Sequence, residues 1–119
     1  MTRSRRTARD AGTRFETAVA LALATHIDDR IERRSKAGAN DRGDVAGLRV
    51  HSQRVVVECK DTNRLELGVW AAEAETERVN DGALAGVVVH KRRGKADPLD
   101  AYVTTTLRDL IALLAGERP

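Results

Sequence analysis

Val55, Val56 and Val57 stand in a row and run directly into Glu58, Cys59 and Lys60. Consecutive β-branched residues favour extended backbone, and a strand that is apolar on both sides must be covered on both sides. The run therefore predicts a central strand over residues 54–60, buried on both faces, whose far end carries two charges. No other stretch constrains the fold as strongly.

The flanking periodicities fill in the layers. Residues 12–25 are rich in helix formers, with Phe15, Val19, Ala22 and Leu23 at helical spacing, and predict a first amphipathic helix. Residues 29–34 read as a short strand and 36–43 as a loop. Residues 44–50 read as a strand joined to the central one by the short link at His51, Ser52 and Gln53, which suggests an antiparallel hairpin. A second helix is expected over 66–80, with Leu67, Trp70, Ala71 and Ala74 on one side and Gly82 as its C-cap. Residues 85–90 form another apolar strand, 91–98 a basic loop, and 102–105 a short strand. The last helix, 106–114, should turn Leu107, Leu110, Ile111 and Leu114 inward. The order αββ(β)αβ(β)α belongs to the α/β (α+β) class: a mixed central sheet flanked by helices.

A chain of 119 residues suffices for one domain and not for two. Phe15, Trp70 and Tyr102 are its aromatic residues, so Val, Leu, Ala and Ile must build the core. The net charge of +3 is unevenly spread. Arg3, Arg5, Arg6, Arg9 and Arg14 stand against Asp10 alone, which separates a basic N-terminal arm, residues 1–11, from a near-neutral domain, residues 12–119. Such an arm suits a polyanion, because arginine–phosphate contacts release condensed counterions; a solvated terminus has the same composition.

A single cysteine, Cys59, allows no intrachain disulfide and fits a reducing cytoplasm. Cys59 with His26, His51 and His90 has no zinc-site spacing. No apolar run has the length of a membrane span, and no apolar region follows the N-terminal arginines, so neither a membrane partner nor a signal peptide is expected.

The chemistry concentrates at Asp44 and at Glu58-Cys59-Lys60. Residues two apart on a strand share a face, so Glu58 and Lys60 project together, and hairpin pairing can bring Asp44 beside them. Two carboxylates and a lysine suit a hard divalent cation, which takes oxygen ligands and completes its shell with water and phosphate oxygens. Mg2+, with Mn2+ as a substitute, is the cofactor expected. The ligands expected are Asp44, Glu58 and the backbone carbonyl of Cys59, with Glu16 from the first helix as a third acid. Lys60 would orient the attacking water and offset transition-state charge. The bland reading of these residues is a solvated strand face with a Glu–Lys pair.

Asp44 followed by Glu58-x-Lys60 resembles the PD-(D/E)XK nuclease signature, with Gly43 where the signature has proline. The pattern Arg5, Arg9, Gly12, Glu16 resembles the N-terminus of archaeal-type Holliday-junction resolvases, as does Arg34-Ser35 with Gly38 ahead of the aspartate. Residues 87–95 are similar to a segment of actinobacterial phage proteins of this kind. The resemblance implies a restriction-endonuclease-like core and a magnesium-dependent endonuclease. It also implies a homodimer whose two sites face one four-way DNA junction and nick opposing strands. Glu16, Asp44 and Glu58 would then be metal ligands, Lys60 the catalytic lysine and Ser35 a helpful loop serine.

Arg5, Arg6, Arg9, Arg34, Lys36, Lys91, Arg92, Arg93 and Lys95 are the residues expected to grip DNA. Trp70 reads as helix core or dimer contact. His90 reads as exposed or DNA-facing, Cys59 as a packing residue turned away from the site, and the shared face of Glu73 and Glu77 first as solvent and second as part of the acidic site. The dimer contact is expected around Leu67 and Trp70 or on strand 85–89. Two other functions stay open: a restriction- or repair-type nuclease, and a catalytically silent DNA-binding module on the same fold.

Overall fold

The structure, a computed structural model, describes residues 4–35 and 40–119. Among these residues it is a mixed α/β fold with three α-helices and an open six-stranded mixed sheet. The chain order is α1 (Arg5–His26), β1 (Glu32–Arg33), β2 (Val45–Ala46), β3 (Arg49–Val50), β4 (Gln53–Lys60), α2 (Leu67–Asp81), β5 (Ala85–His90), β6 (Tyr102–Thr104) and α3 (Leu107–Ala115). A 3-10 turn, Pro98–Asp100, precedes β6.

The valine strand is central, as its sequence requires. The sheet runs β1-β2-β4-β5-β6, with β3 paired to the first half of β4. β4 and β5 are parallel and joined through α2; the other pairings are antiparallel. Phe15 and Val19 of α1 pack with Val57, Cys59, Val87 and Val89. Trp70 and Ala74 of α2 pack with Val88. Alternate strand residues thus serve opposite helices. Glu58 lies beside Val88 in register, so it belongs to the α2 side, whereas Cys59 belongs to the α1 side.

Several local expectations need correction. α1 begins at Arg5, not at residue 12, because Ser4 caps it: its Oγ accepts the Thr7 N–H at 3.1 Å. Arg5, Arg6 and Arg9 are exposed on the first turns of that helix. The strand expected over 44–50 is divided at Gly47, whose φ of +95° no extended residue adopts. The link to β4 is tighter than expected: His51 and Ser52 alone form the loop, both at positive φ, as a two-residue turn matched to strand twist requires.

α3 is turned around. Leu107 is 71% exposed, Leu114 74%, and Leu110 and Ile111 are exposed as well, while Asp109 and Ala112 face inward. The buried Asp109 carboxylate accepts the Gly86 N–H at 2.8 Å and pairs with Arg118 at 3.0 Å. Those specific partners outweigh the apolar stripe in orienting the helix. Of the residues named for a dimer contact, Trp70 is core, and β5 is buried along its whole length between β4 and β6. Leu67, expected on the inner side of α2, is partly exposed. Among the described residues no helix is long and apolar enough to cross a membrane.

Candidate active site

The site lies at the C-terminal end of β4, between the strand and α2. Asp44 is held from several directions. Its N–H donates to the Val57 carbonyl, its own carbonyl accepts the Arg34 N–H, and its Oδ2 accepts the Cys59 N–H, each at 2.8 Å. Gly43 makes this placement possible. Its φ is +101°, and a Cβ there would stand 3.0 Å from Val56 Cγ1 and 3.1 Å from the Val57 carbonyl oxygen. Proline, locked near −65°, could not adopt this conformation, so this chain reaches the aspartate by a turn that the signature's usual residue cannot make.

Glu58 projects from β4 to the α2 side, 5% exposed, with the carboxyls of Asp44 and Glu77 as its neighbours. Burial, then these two carboxylic neighbours, push its carboxyl far above the ordinary range. Glu77, one helix turn beyond Glu73, is equally buried and raised for the same first reason. Lys60, next on this face of β4, is ion-paired to Glu73 at 2.6 Å. Burial opposes its charge, but Glu73, Glu58 and Asp44 together keep its ammonium more firmly protonated than usual.

Asp44, Glu58 and Lys60 therefore meet, and Glu58 forms a second cluster with acids outside the sequence motif. Carboxylate oxygens of Asp41, Glu58 and Glu77 lie within 4.8 Å of one another. The loop bearing Asp41 is fastened to α2 by the Asn80 side chain, which donates to the Asp41 carbonyl at 3.0 Å. The Asp41 carboxylate accepts the Gly43 N–H at 3.0 Å, coupling it to the turn before Asp44. This buried acidic triad could hold a metal ion. It offers hard oxygen donors, and Glu77 Oε2 is a buried oxygen with no hydrogen-bond partner among the described residues. A buried unpartnered carboxylate oxygen is costly unless protonated or bound to a cation, so the donor set fits a hard metal ion.

Glu16 is not part of this triad. It sits on α1, the helix covering the Cys59 side of the sheet, and its carboxylate lies 3.9 Å from the Arg33 guanidinium. The acid that joins Glu58 from a helix is Glu77, on the helix face whose first expectation is solvent. Its spacing from Glu73 was visible, but which sheet face α2 covers was not. The Cys59 side chain packs into the α1 core and burial raises its thiol, so it contributes no side-chain donor to the acidic cluster. Ser35 is exposed, and Lys36 and Gly38 lie outside the described residues. Arg34 donates a guanidinium N–H to the Arg42 carbonyl at 3.3 Å.

His90 is not exposed. It is buried between Trp70, 5.4 Å away, and Tyr102, 5.9 Å away, and its Nε2 meets Thr104 Oγ1 at 2.7 Å. Burial lowers its pKa, which favours the neutral imidazole. Beyond it Lys91, Arg93 and Lys95 are exposed, and the Arg92 guanidinium lies 4.6 Å from the Tyr102 ring centroid. No protein-family model, curated protein or solved structure matches the chain.

Proposed function

We propose that this protein is a divalent-metal-dependent DNA endonuclease with a PD-(D/E)XK site on a restriction-endonuclease-like core. Its substrate is branched DNA, as for a Holliday-junction resolvase. The observation that carries the reading is the meeting of Asp44, Glu58 and Lys60 on one side of the sheet at the end of β4. Glu58, with Asp41 and Glu77, is the set that would hold Mg2+ or Mn2+, and Asp44 lies beside it. The chemistry such a cation supplies is polarisation of the scissile phosphate and easier deprotonation of the attacking water.

The chain's own residues have separable tasks. Lys60 stays charged and can donate hydrogen bonds to the water or to the phosphate oxygen that gains charge. Glu73, paired with Lys60, aims its amine across the site. The clustered carboxyls favour oxygen-only ligation. Exposed Lys91, Arg93 and Lys95 with half-buried Arg92 beside the end of β5, and Arg5, Arg6 and Arg9 on α1, supply phosphate contacts. Paired nicks in a pseudo-symmetric junction call for two sites related by a two-fold axis, hence a homodimer.

The test is a nicking assay on an end-labelled four-way junction beside linear duplex of the same sequence, with Mg2+ or Mn2+. Paired cuts in the junction, lost in Asp44→Asn, Glu58→Gln and Lys60→Ala, support the reading. Undiminished cutting by Asp44→Asn removes its centre. Junction binding without any cutting by the wild type leaves a silent DNA-binding module instead.

A further inference from the structure

The acidic site does not end at Lys60. A cleft of about 530 Å³ opens where the C-terminal ends of β4 and β5 meet the basic loop. The ends of parallel strands are where α/β sheets commonly take ligands. The Lys91 N–H donates to the Lys60 carbonyl at 3.0 Å, so the wall of the cleft is continuous with the strand bearing the lysine of the site.

The walls combine features that a merely solvated basic turn does not need. Tyr102 is 56% exposed with Arg92 stacked over its ring, and Leu65 across the cleft is 66% exposed. Lys91 and Arg93 stand exposed at the rim, and Asn63 brings an amide with both donor and acceptor. A flat aromatic surface, an apolar wall, an amide and adjacent cations match a nucleobase with its phosphates. Bases within a duplex are stacked on both sides and present only their edges in the grooves, so the Tyr102 ring can be used only by a base outside the stack.

We infer that this cleft holds one unstacked nucleotide of a DNA strand, its base against Tyr102 and Leu65 and its phosphates on Lys91 and Arg93. The inference rests on the nuclease reading for the identity of the strand, since the nucleotide so held adjoins the segment that reaches Glu58 and Lys60. The binding itself requires neither metal nor cleavage.

The experiment uses the full chain in EDTA. The probe is a short oligothymidine carrying one 2-aminopurine, compared with the same base in blunt duplex and with free dAMP as competitor. Binding of the single strand should quench the 2-aminopurine by stacking. Tyr102→Ala should lose about tenfold or more in affinity together with the quench, and Tyr102→Phe should keep both. Leu65→Ala should lose part of each, which provides a second variant if Tyr102→Ala melts abnormally. Unchanged affinity and quench in both alanine variants overturn the pocket, as does equal quenching in duplex. Competition by dAMP at the concentrations effective for the strand overturns the strand assignment in favour of a free-nucleotide site.

A nicking assay on the same variants separates the two readings. Tyr102-dependent quenching in a protein that never cuts keeps the pocket and rejects the nuclease. Cutting with Tyr102-independent binding does the reverse.

Discussion

Carboxylate oxygens of Glu58 on β4 and Glu77 on α2 lie within 4.8 Å of one another across a buried strand–helix contact, an arrangement that two carboxylates accept only when a proton or a cation lies between them. Everything distinctive about the candidate site follows from that pair. It fixes which helix serves the site, and it makes the metal-free protein sensitive to pH.

The Glu58 carboxyl is pushed up to about 11 from an ordinary 4.5 by burial and by its acidic neighbours. Between those values the folded protein holds a proton that the unfolded chain has released, so stability falls as pH rises through the window. Glu58→Gln removes this liability. In EDTA the variant should melt above the wild type. The gap should widen between about pH 5 and about pH 9, by at most about 1.4 kcal/mol per pH unit for one proton. Thermal melts across that range decide it, and a gap independent of pH would mean that Glu58 is not buried as the acid.

Metal binding should act on the same residues with opposite sign. Mn2+ added at neutral pH should raise the melting temperature of the wild type, since it binds the folded state alone. Glu77→Gln or Asp41→Asn should weaken the dissociation constant about tenfold or more, because affinity for hard cations follows the charge count of the ligands. Glu16→Gln should leave most of the shift in place. Equal losses from Glu16→Gln and Glu77→Gln would show that α1 shares the cation after all.

Gly43 carries a demand no other residue at that position meets. Gly43→Ala puts a Cβ at positive φ, 3.0 Å from Val56 Cγ1. A destabilisation of about 1–3 kcal/mol is expected from the backbone conformation alone. Cleavage should fall further than stability does, because Asp44 moves with the turn. Chemical denaturation and the junction assay on one preparation compare the two effects. A neutral Gly43→Ala would contradict the turn as described.

The orientation of α3 is open to a direct check. Asp109→Ala leaves the Gly86 N–H and Arg118 without their carboxylate. It should cost about 1–3 kcal/mol, the penalty for stranded buried polar groups. Leu114→Gln, on the exposed side, should stay within about 0.5 kcal/mol of the wild type. The reverse ranking in urea denaturation would mean that the helix packs by its leucines.

Much of the scaffold was legible in the residues themselves. β5 coincides with the apolar run at 85–90, α2 with the helical pattern at 66–80, and Gly82 caps α2 in the left-handed conformation. The link at His51 and Ser52 closes a hairpin, and Glu58 and Lys60 share a face of β4 as strand alternation requires. These features depend on neighbours in sequence, whose geometry is set by periods of 2 and 3.6 residues and by the φ each residue allows.

What the tertiary structure alone decided is which surfaces meet. The sequence marks α3 as amphipathic but not which stripe turns inward; the fit of Asp109 to Gly86 and Arg118 does that. It shows Glu16, Glu73 and Glu77 as acids on helices. Only the placement of α2 on the Glu58 side of β4, and of α1 on the Cys59 side, sends Glu77 into the triad, Glu73 to Lys60, and Glu16 toward Arg33. Periodicity is a local property of the chain, whereas the partner of a buried charge is chosen by desolvation and geometry between segments far apart in sequence. No pattern within a single segment encodes that choice.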